Sequence, residues 1–455
     1  MVLNSKGYVY TLLIATLSLI TLSLLLFQSQ VNSPSFQGST NKMQVDEMSF
    51  FIESLKDDAS RAIAISGQRS AAYAIDHVIN TNESFRYYTM NNCTSFNYTG
   101  DGIQAVLTEL IICGNLTNTQ YPAEDIDSFM ANNTIISWQS KINGQTTSFN
   151  SYNVTISLRN MDMALIDSWH FLILSEFDID VCDRDCTNRY VGQRIPITSV
   201  VDITTLEDPL YHTKSEGKLV STLRTFTPCE KKQFLNGSIF DDRIEDGCYI
   251  SSDDENYNGP SFFDRLENSI VFDRQRFYFD KYGLYQKLGY YPANISLESL
   301  INLALLDEYG VESNPNASQV DSYYWHGRLE TIGQNCYVDG MEQHPDFRID
   351  MYHAIKYKVQ GLNCHVVFTN TSANPNDFRF DPDNLRVPPN TTITFIDQTG
   401  SSRVLYESEY FTTGQVLPAN GRITQTYDLT SPTGQNYFVY DNVTSEEINI
   451  LVEHI

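Results

Sequence analysis

The chain has few basic side chains. Lys and Arg total 30 against 56 Asp and Glu in 455 residues, which gives a formal net charge of −26 at pH 7. This argues against a nucleic-acid partner, whose phosphates require Lys and Arg, and against adhesion to an anionic lipid surface. The acidic excess favours solubility and the binding of divalent cations. Because 41% of the residues are hydrophobic, the chain can still form one or two cores.

Motifs of common chemistries are also missing. The sequence contains no G-x-S-x-G, no H-E-x-x-H and no P-loop. Acidic residues occur throughout, so choosing two of them as a glycosidase pair has no basis. No C-x-x-C and no internal repeat of fixed period is present. We therefore predict a protein without catalytic residues.

A long uncharged run lies near the N-terminus. Tyr8–Phe27 contains twenty residues without a charge, enough for a helix of about 30 Å, the thickness of a bilayer core. A cleaved secretory signal has an apolar core of only about 7–15 residues, and Gln28–Pro34 is a poor cleavage site. Lys6 is the one charge before the run, which predicts that the chain emerges outside the cell. We predict a retained transmembrane helix within residues 1–30, with a removed signal peptide as the alternative.

Sequons for N-glycosylation agree with an outside location, since such acceptors mark surface positions of exported proteins. The twelve N-x-[ST] asparagines are Asn82, Asn92, Asn97, Asn115, Asn132, Asn153, Asn236, Asn294, Asn316, Asn370, Asn390 and Asn442. We predict that these positions are exposed and available to glycans.

The eight cysteines are even in number and widely spaced, which outside the cell indicates disulfides rather than a thiolate metal site. Their order along the chain favours local pairs, although eight cysteines allow about 105 connectivities. The predicted pairs are Cys93–Cys113, Cys182–Cys186, Cys229–Cys248 and Cys336–Cys364.

The patterning predicts an α+β chain in successive segments. Residues 31–41 are rich in Gln, Ser, Asn, Pro and Gly and indicate a linker. Residues 42–80 place apolar side chains at helical spacing, which predicts an amphipathic helix that Gly67 could kink. Its apolar stripe covers either its own domain's sheet or neighbouring copies of the chain. Residues 81–370 indicate a disulfide-stapled extracellular α+β domain.

The periodicity of apolar residues predicts individual elements of that domain. Alternating apolar residues in 152–158 and 195–203 predict strands with one buried face. Phe171–Leu174 indicates a short buried strand. Residues 297–309 predict a helix with Ser296 as its N-cap.

The last segment, residues 375–455, alternates apolar and polar residues over several strands with Pro, Gly and Asn turns between them. The stretches FRFDPDNLRVPPNTTITFIDQTG, FTTGQVLPANGRITQTYDL and GQNYFVYDN resemble a cupredoxin-like β-sandwich. In copper-binding members a His follows the TITFID-like strand, and a Cys and a second His come near the end. This chain has Arg403 at the first position, Tyr440 with Asp441 near the second, and only His454 after them. The resemblance therefore implies the fold without copper or electron transfer.

The start of the chain resembles a second family. Lys6 and Gly7 directly before the apolar run are similar to the processing site of archaeal type IV pilin-type (class III) signals. In that family, cleavage after the Gly leaves the apolar helix on the mature protein, which here would begin at Tyr8. Mature subunits can bundle these helices into a filament core. Many such pilins carry an acidic or Gln residue early in the mature helix, and Tyr8–Leu13 has none.

Two candidate metal sites follow from spacing. One is the start of a calcium-binding loop, with side-chain oxygens at Asp254, Asn256 and Asn258 and a glycine for the sharp turn at Gly259. Position 12 of that loop holds Arg265 in place of the usual Glu.

Asp264 or Glu267 could substitute for the missing Glu, while a solvated acidic turn is the plainer interpretation.

Four histidines that lie close in sequence could bind zinc or copper, although no pair has i, i+3 or i+4 spacing. They are His326, His344, His353 and His365.

Together these patterns predict a non-catalytic cell-surface protein, held at the cytoplasmic membrane by its N-terminal helix and facing outward. The leading hypothesis is a pilin-like subunit of an extracellular filament or pilus-associated complex, with self-association or other pilin-like subunits as partners. The alternative is a monomeric anchored adhesin or receptor whose aromatic stretches, such as Tyr278–Tyr282 and Tyr323–Trp325, bind a glycan or cell-surface ligand. An extracellular enzyme of unknown reaction is the third hypothesis.

Overall fold

The computed structural model combines a long helix, an α+β domain and a C-terminal sandwich. It describes residues 5–90, 98, 100–116, 130, 132–145, 152–221, 223, 237–252, 259–271, 295–314, 317–326, 336–338, 340–371, 374–381, 384–406, 414–427, 435–441 and 447–452. Side chains in 5–15, 24–41, 251–252, 351, 370–371, 374–378, 381, 384 and 386 lie outside this description. Within the described part of the chain, no helix combines the length and apolarity needed to cross a bilayer.

The described helices are α1 Ser5–Thr81, α2 Gly102–Cys113, α3 Ile135–Gln145, α4 Pro209–Lys214, α5 Gly237–Asp246, α6 Phe262–Leu266, α7 Leu303–Glu308, α8 Asp321–Tyr324 and α9 Met351–Lys356. The described strands are β1 Tyr152–Leu165, β2 His170–Asp183, β3 Arg189–Asp202, β4 Tyr249–Ser252, β5 Ser296–Ser299, β6 Tyr337–Val338, β7 Leu362–Thr371, β8 Asn374–Asp381, β9 Asn384–Val387, β10 Thr391–Asp397, β11 Arg403–Tyr406, β12 Gln415–Leu417, β13 Arg422–Tyr427, β14 Gln435–Asp441 and β15 Glu447–Val452.

Helix α1 runs without interruption through residues 31–41, so the predicted linker there is wrong. Pro34 and Gly38 disfavour a helix. A proline removes only one backbone hydrogen bond, however, and the segments on both sides are helical, so the helix continues through this stretch. Beyond this stretch the amphipathic helix predicted for 42–80 is confirmed. Its buried face recurs at helical spacing and consists of Met48, Ile52, Leu55, Ala59, Ile63, Ala71, Ala74, Ile75 and Val78.

That face packs on a three-stranded antiparallel sheet of order β1-β2-β3 and on α2. The packing confirms that the stripe covers its own domain. The hydroxyl of Ser60 donates to the carbonyl of Thr198 at 2.8 Å, and the hydroxyl of Ser199 donates to the carbonyl of Ser60 at 2.6 Å. These bonds fix α1 against β3. The strands predicted for 152–158, 171–174 and 195–203 all lie in this sheet.

Gly67 does not interrupt α1; instead it lets the helix approach the sheet. A Cβ at this position would lie 2.6 Å from Cδ1 of Ile173 and 2.7 Å from Cγ2 of Val201. Both of those side chains are buried, so the glycine marks a close helix–sheet contact.

The C-terminal unit consists of two five-stranded sheets. The first has the order β13-β10-β7-β6 with β8 also paired to β7, and the second has the order β12-β11-β14-β15-β9. Along β14 buried and exposed residues alternate, as expected for a strand with one face on the core. The pairs β10–β7 and β15–β9 are parallel, while the other described pairs in these two sheets are antiparallel.

The predicted start of the sandwich at residue 375 is too late. Strand β7 at 362–371 lies between β10 and both β6 and β8, and its buried residues Cys364, Val366 and Phe368 belong to the sandwich core. The alternation within β7 does not reveal which sheet the strand joins, because that depends on its pairing with β8 and with the distant β10.

The cores of the two units meet along β5. Leu297 packs into the core under α1, whereas Leu300, directly after β5, packs into the core of the sandwich. The helix predicted for 297–309 is therefore wrong in its first turn. Strand β5 pairs with β4, and the helix begins only at Leu303, where the side chain of Asn302 accepts a hydrogen bond from the Leu305 amide at 3.2 Å.

Two predicted disulfides, Cys182–Cys186 and Cys336–Cys364, are present. The first closes the turn between β2 and β3, and the second ties β7 to the segment that enters β6. Cys113 and Cys248 are also disulfide-bonded. Their predicted partners Cys93 and Cys229 lie outside the described residues.

Candidate functional site: a buried ion pair in the sandwich and two buried charge clusters

Two charged residues meet inside the sandwich where the cupredoxin resemblance would place copper ligands. Arg403 is the first residue of β11 and Asp441 is the last of β14, and these strands pair. Nη1 of Arg403 lies 3.5 Å from Oδ2 of Asp441. The guanidinium also lies over the ring of Phe368, 5.2 Å from its centroid. Both charged side chains are buried, so the pair is part of the sandwich interior.

This pair does not fit copper. A guanidinium carries only donor N–H groups and no lone pair for a metal, and it keeps its charge at any ordinary pH. Asp441 offers hard carboxylate oxygens in place of the soft thiolate of a blue-copper centre. Among the described residues no group of three His, Cys, Asp or Glu side chains could hold a metal ion. His454 lies outside the described residues.

The predicted histidine cluster is not assembled. His353 is buried among carboxylates, whereas His365 lies half-buried on β7 with its ring 5.3 Å from that of Tyr337. Burial, with Arg348 and Arg422 as further causes, lowers the pKa of His365.

The calcium loop falls mostly outside the described residues, which include none of Asp254, Asn256 and Asn258. The two side chains that could have replaced the missing Glu have other roles. Asp264 completes a capping box at the start of α6: Ser261 is the N-cap, and its amide and hydroxyl donate to the Asp264 carboxylate at 2.9 and 2.5 Å. Glu267 accepts a hydrogen bond from the backbone amide of Ile103 at 2.9 Å.

Arg265, at position 12 of the predicted loop, is instead the centre of a buried cluster. Its guanidinium donates to Asp208 at 2.5 Å, to Asp321 at 2.6 Å, and to the carbonyls of Leu297 and Pro260 at 2.6 and 3.3 Å. All three charged side chains are 0% exposed. Burial opposes the charge, but Asp208 and Asp321 raise the pKa of Arg265 above its ordinary value. Burial also raises the pKa of Asp321, although Arg265 opposes this.

A second buried cluster forms around Glu298 of β5. It accepts hydrogen bonds from Nε2 of His353 at 3.0 Å, from Nζ of Lys356 at 2.8 Å and from the hydroxyl of Tyr357. Burial works against ionisation, yet Lys356 and His353 hold the pKa of Glu298 well below its usual range. On its other side His353 contacts Asp350, whose carboxylate caps α9 and accepts a hydrogen bond from Ser318 at 2.6 Å.

The Glu298–His353–Asp350 chain has the residue types of a hydrolytic centre but not its accessibility. Their side chains are at most 1% exposed, so no substrate reaches the imidazole. The arrangement can stabilise the fold and store a proton. The sequence does not reveal this arrangement, because Glu298 lies 55 positions from His353.

The predicted processing residues Lys6, Gly7 and Tyr8 lie in the first turns of α1, with side chains outside the description. Farther along the helix, the described side chains of residues 16–23 are all exposed.

Of the sequon asparagines, the five with described side chains are exposed as predicted: Asn82, Asn115, Asn132, Asn153 and Asn390. Asn92, Asn97, Asn236, Asn294, Asn316, Asn442 and the side chain of Asn370 lie outside the description.

No protein-family model matches the chain, and no curated protein matches it. Solved structures similar to it include cupredoxins and copper enzymes, and the three described next each cover about a fifth of this chain. A purple cupredoxin from Nitrosopumilus maritimus is 13% identical over 20% of this chain and 98% of its own, with a TM-score of 0.16. A plastocyanin from Dryopteris crassirhizoma is 12% identical over 20% and 100%, with a TM-score of 0.16. A copper-containing nitrite reductase from Thermus scotoductus is 15% identical over 21% and 23%, again with a TM-score of 0.16. TM-scores this low carry no argument about this chain, and the strand order alone defines the sandwich.

Proposed function

We propose that this chain is a non-catalytic, pilin-like cell-surface protein whose helix α1 joins copies or related subunits into an extracellular filament or pilus-associated complex. The proposal is carried by the contrast between the two halves of α1. The C-terminal half is embedded in the domain, whereas Leu17, Leu19, Ile20 and Leu22 are 58–71% exposed. Burying a leucine is worth about 1.5–3 kcal/mol, so four exposed apolar side chains favour an apolar covering.

The hydroxyl groups on this part of α1 support the same proposal. The hydroxyl of Thr21 donates to the carbonyls of Leu17 and Ser18 at 3.0 and 2.9 Å, and that of Ser23 donates to the carbonyl of Ile20 at 2.8 Å. Such groups can enter a bilayer or a bundle of helices without leaving a donor unsatisfied. The Lys6–Gly7–Tyr8 start, which resembles a class III processing site, favours the filament over a plain anchor.

The sandwich supports a role as a rigid outward module rather than an electron carrier. By the family resemblance Arg403 lies where the first copper-ligating His belongs and Asp441 lies near the Cys position, and neither supplies a copper-type donor. We expect no copper and no redox activity from this unit. The disulfides agree with an oxidising, extracellular location.

One observation favours the alternative, a monomeric anchored adhesin or receptor. The outer face of the sheet β12-β11-β14-β15-β9 presents Tyr406 stacked on Tyr440, with ring centroids 5.5 Å apart and an interplanar angle of 16°. Phe438 and Val416 are exposed on the same face. A flat aromatic surface of this kind suits a glycan or a protein ligand.

A pair of matched variants tests the filament. Leu19→Glu places a charge in the exposed apolar stretch, whereas Met43→Glu places it on the same helix at a site that is also exposed but lies beyond that stretch. We expect Leu19→Glu to abolish filaments in electron micrographs while Met43→Glu retains them. Filaments that persist with Leu19→Glu would contradict the proposal; a lack of filaments with the unmodified chain, together with membrane-bound monomers, would favour the adhesin.

A further inference from the structure

His353 lies between two carboxylates in the interior of the protein. Its Nδ1 is 2.8 and 2.7 Å from the two oxygens of Asp350, and its Nε2 is 3.0 Å from Oε1 of Glu298. A neutral imidazole has one donor nitrogen and one acceptor nitrogen. In either tautomer the acceptor lone pair would face a carboxylate at hydrogen-bond distance. Only the imidazolium donates on both sides, so the geometry itself requires a charged ring.

The charges around His353 favour a protonated ring, because the ring contacts two buried carboxylates. Four buried carboxylates belong to the two adjoining clusters: Asp208, Glu298, Asp321 and Asp350. Two cations pair with three of them: Arg265 contacts Asp208 and Asp321, and Lys356 contacts Glu298.

The remaining titratable groups of these clusters are neutral phenols, because burial raises the pKa of Tyr211, Tyr249 and Tyr357 well above the ordinary value. A neutral His353 would therefore remove the cation that Asp350 contacts in the interior, which is costly where water is excluded.

This ring lies at the junction of the two units. His353 belongs to α9, which leads directly into β7 of the sandwich, and Ala354 and Ile355 pack in the sandwich core. Glu298 belongs to β5, whose Leu297 packs in the core under α1. We propose that the buried imidazolium of His353 is a charged clamp that locks the sandwich to the helix-bearing domain, and that loss of its proton releases the junction. The inference does not depend on the proposed function.

The clamp has a definite pH dependence. Although burial opposes the charge, Asp350 and Glu298 raise the pKa of His353 to about 9. An opened junction returns the imidazole to its ordinary pKa of about 6.5. Opening therefore releases one proton between these two values. The opening equilibrium constant should rise tenfold per pH unit in that window, about 300-fold in total. Below the window the stabilisation by His353 is complete, above it the stabilisation is lost, and in neither range does it change with pH.

Hydrogen exchange of the full-length protein, followed by mass spectrometry from pH 6 to 10 and corrected for intrinsic exchange rates, tests this. Peptides that cover β5, α8 and α9 should show the tenfold slope, and peptides from β1–β3 should not. His353→Gln should remove the slope and raise opening at pH 7 by at least tenfold. His365→Gln, at a half-buried histidine of β7, is the matched control and should keep the slope. A flat profile for the unmodified protein, or an equal slope in β1–β3, would overturn the clamp.

If His353→Gln does not fold, the double variant Asp350→Asn/His353→Gln takes its place. It removes the cation together with one carboxylate, so the charges stay balanced, and Asn is as good an N-cap for α9 as Asp. We expect a closed junction at pH 7 without the slope between pH 6.5 and 9. A slope that survives in the double variant would assign the proton to another group and refute the proposal.

Discussion

Replacing Arg265 by methionine should destabilise the protein more than any change of a surface charge. The variant keeps much of the aliphatic volume but removes the cation that faces Asp208 and Asp321 inside the protein. Removing one partner of a buried ion pair costs about 3–5 kcal/mol, because the remaining charge stays in a site without water. Arg265 also donates to the carbonyls of Leu297 and Pro260, so the cost should reach the upper end of that range.

The chain supplies a matched control in Arg189, which pairs with Asp180 across β2 and β3. These side chains are 58% and 33% exposed, and exposed pairs contribute about 0–1 kcal/mol. Chemical denaturation followed by tryptophan fluorescence compares the two, since Trp138, Trp169 and Trp325 all lie outside the sandwich strands.

We expect Arg265→Met to lower the free energy of unfolding by about 3–5 kcal/mol and Arg189→Met by less than about 1. Equal effects of the two variants would refute the claim that burial sets the strength of the Arg265 cluster. Adding Asp321→Asn to Arg265→Met should recover part of the loss, because one carboxylate no longer needs a cation.

Three further predictions follow from the packing and the buried charges. Gly67→Val should destabilise the helix–sheet contact by about 1–3 kcal/mol in thermal unfolding, whereas Gly144→Ala, where a Cβ meets nothing within 4 Å, should be neutral or stabilising. Removing the disulfide Cys336–Cys364 should lower the free energy of unfolding by about 3.6 kcal/mol, and removing Cys182–Cys186 should lower it by about 2 kcal/mol, because the bridges close loops with sequence separations of 28 and 4. Chemical denaturation that gives the reverse order would contradict this loop-length argument. Because the pKa of Glu298 is lowered, its stabilising contribution is present above pH about 4.5 and is lost as the pH falls, so Glu298→Gln should flatten the acid limb of the stability profile.

The elements that the sequence predicted well are those with a local signal. The stripe of α1 from Met48 onward follows the helical period, and the strands of the sandwich alternate at period two. Both short-range disulfides within the described residues followed from cysteine order alone.

The features that the sequence did not predict depend on contacts between distant segments. Strand β7 joins the sandwich through a parallel partner, and β5 became a strand because it pairs with β4 rather than because of its own pattern. The buried clusters join side chains from distant segments through direct hydrogen bonds, as for Tyr357 and Glu298, which lie 59 positions apart. The ion pair of Arg403 and Asp441 was visible only as two departures from a copper motif; their contact needed the structure.

The mature N-terminus of the native protein is the most direct test of a pilin-like surface protein. Mass spectrometry of the terminal peptide should find a chain that begins at Tyr8, because cleavage after Gly7 leaves the apolar helix on the subunit. A chain that begins at Met1 or Val2 would contradict the filament and leave a plain membrane anchor. A chain that begins near residue 30 would contradict both the filament and the anchor.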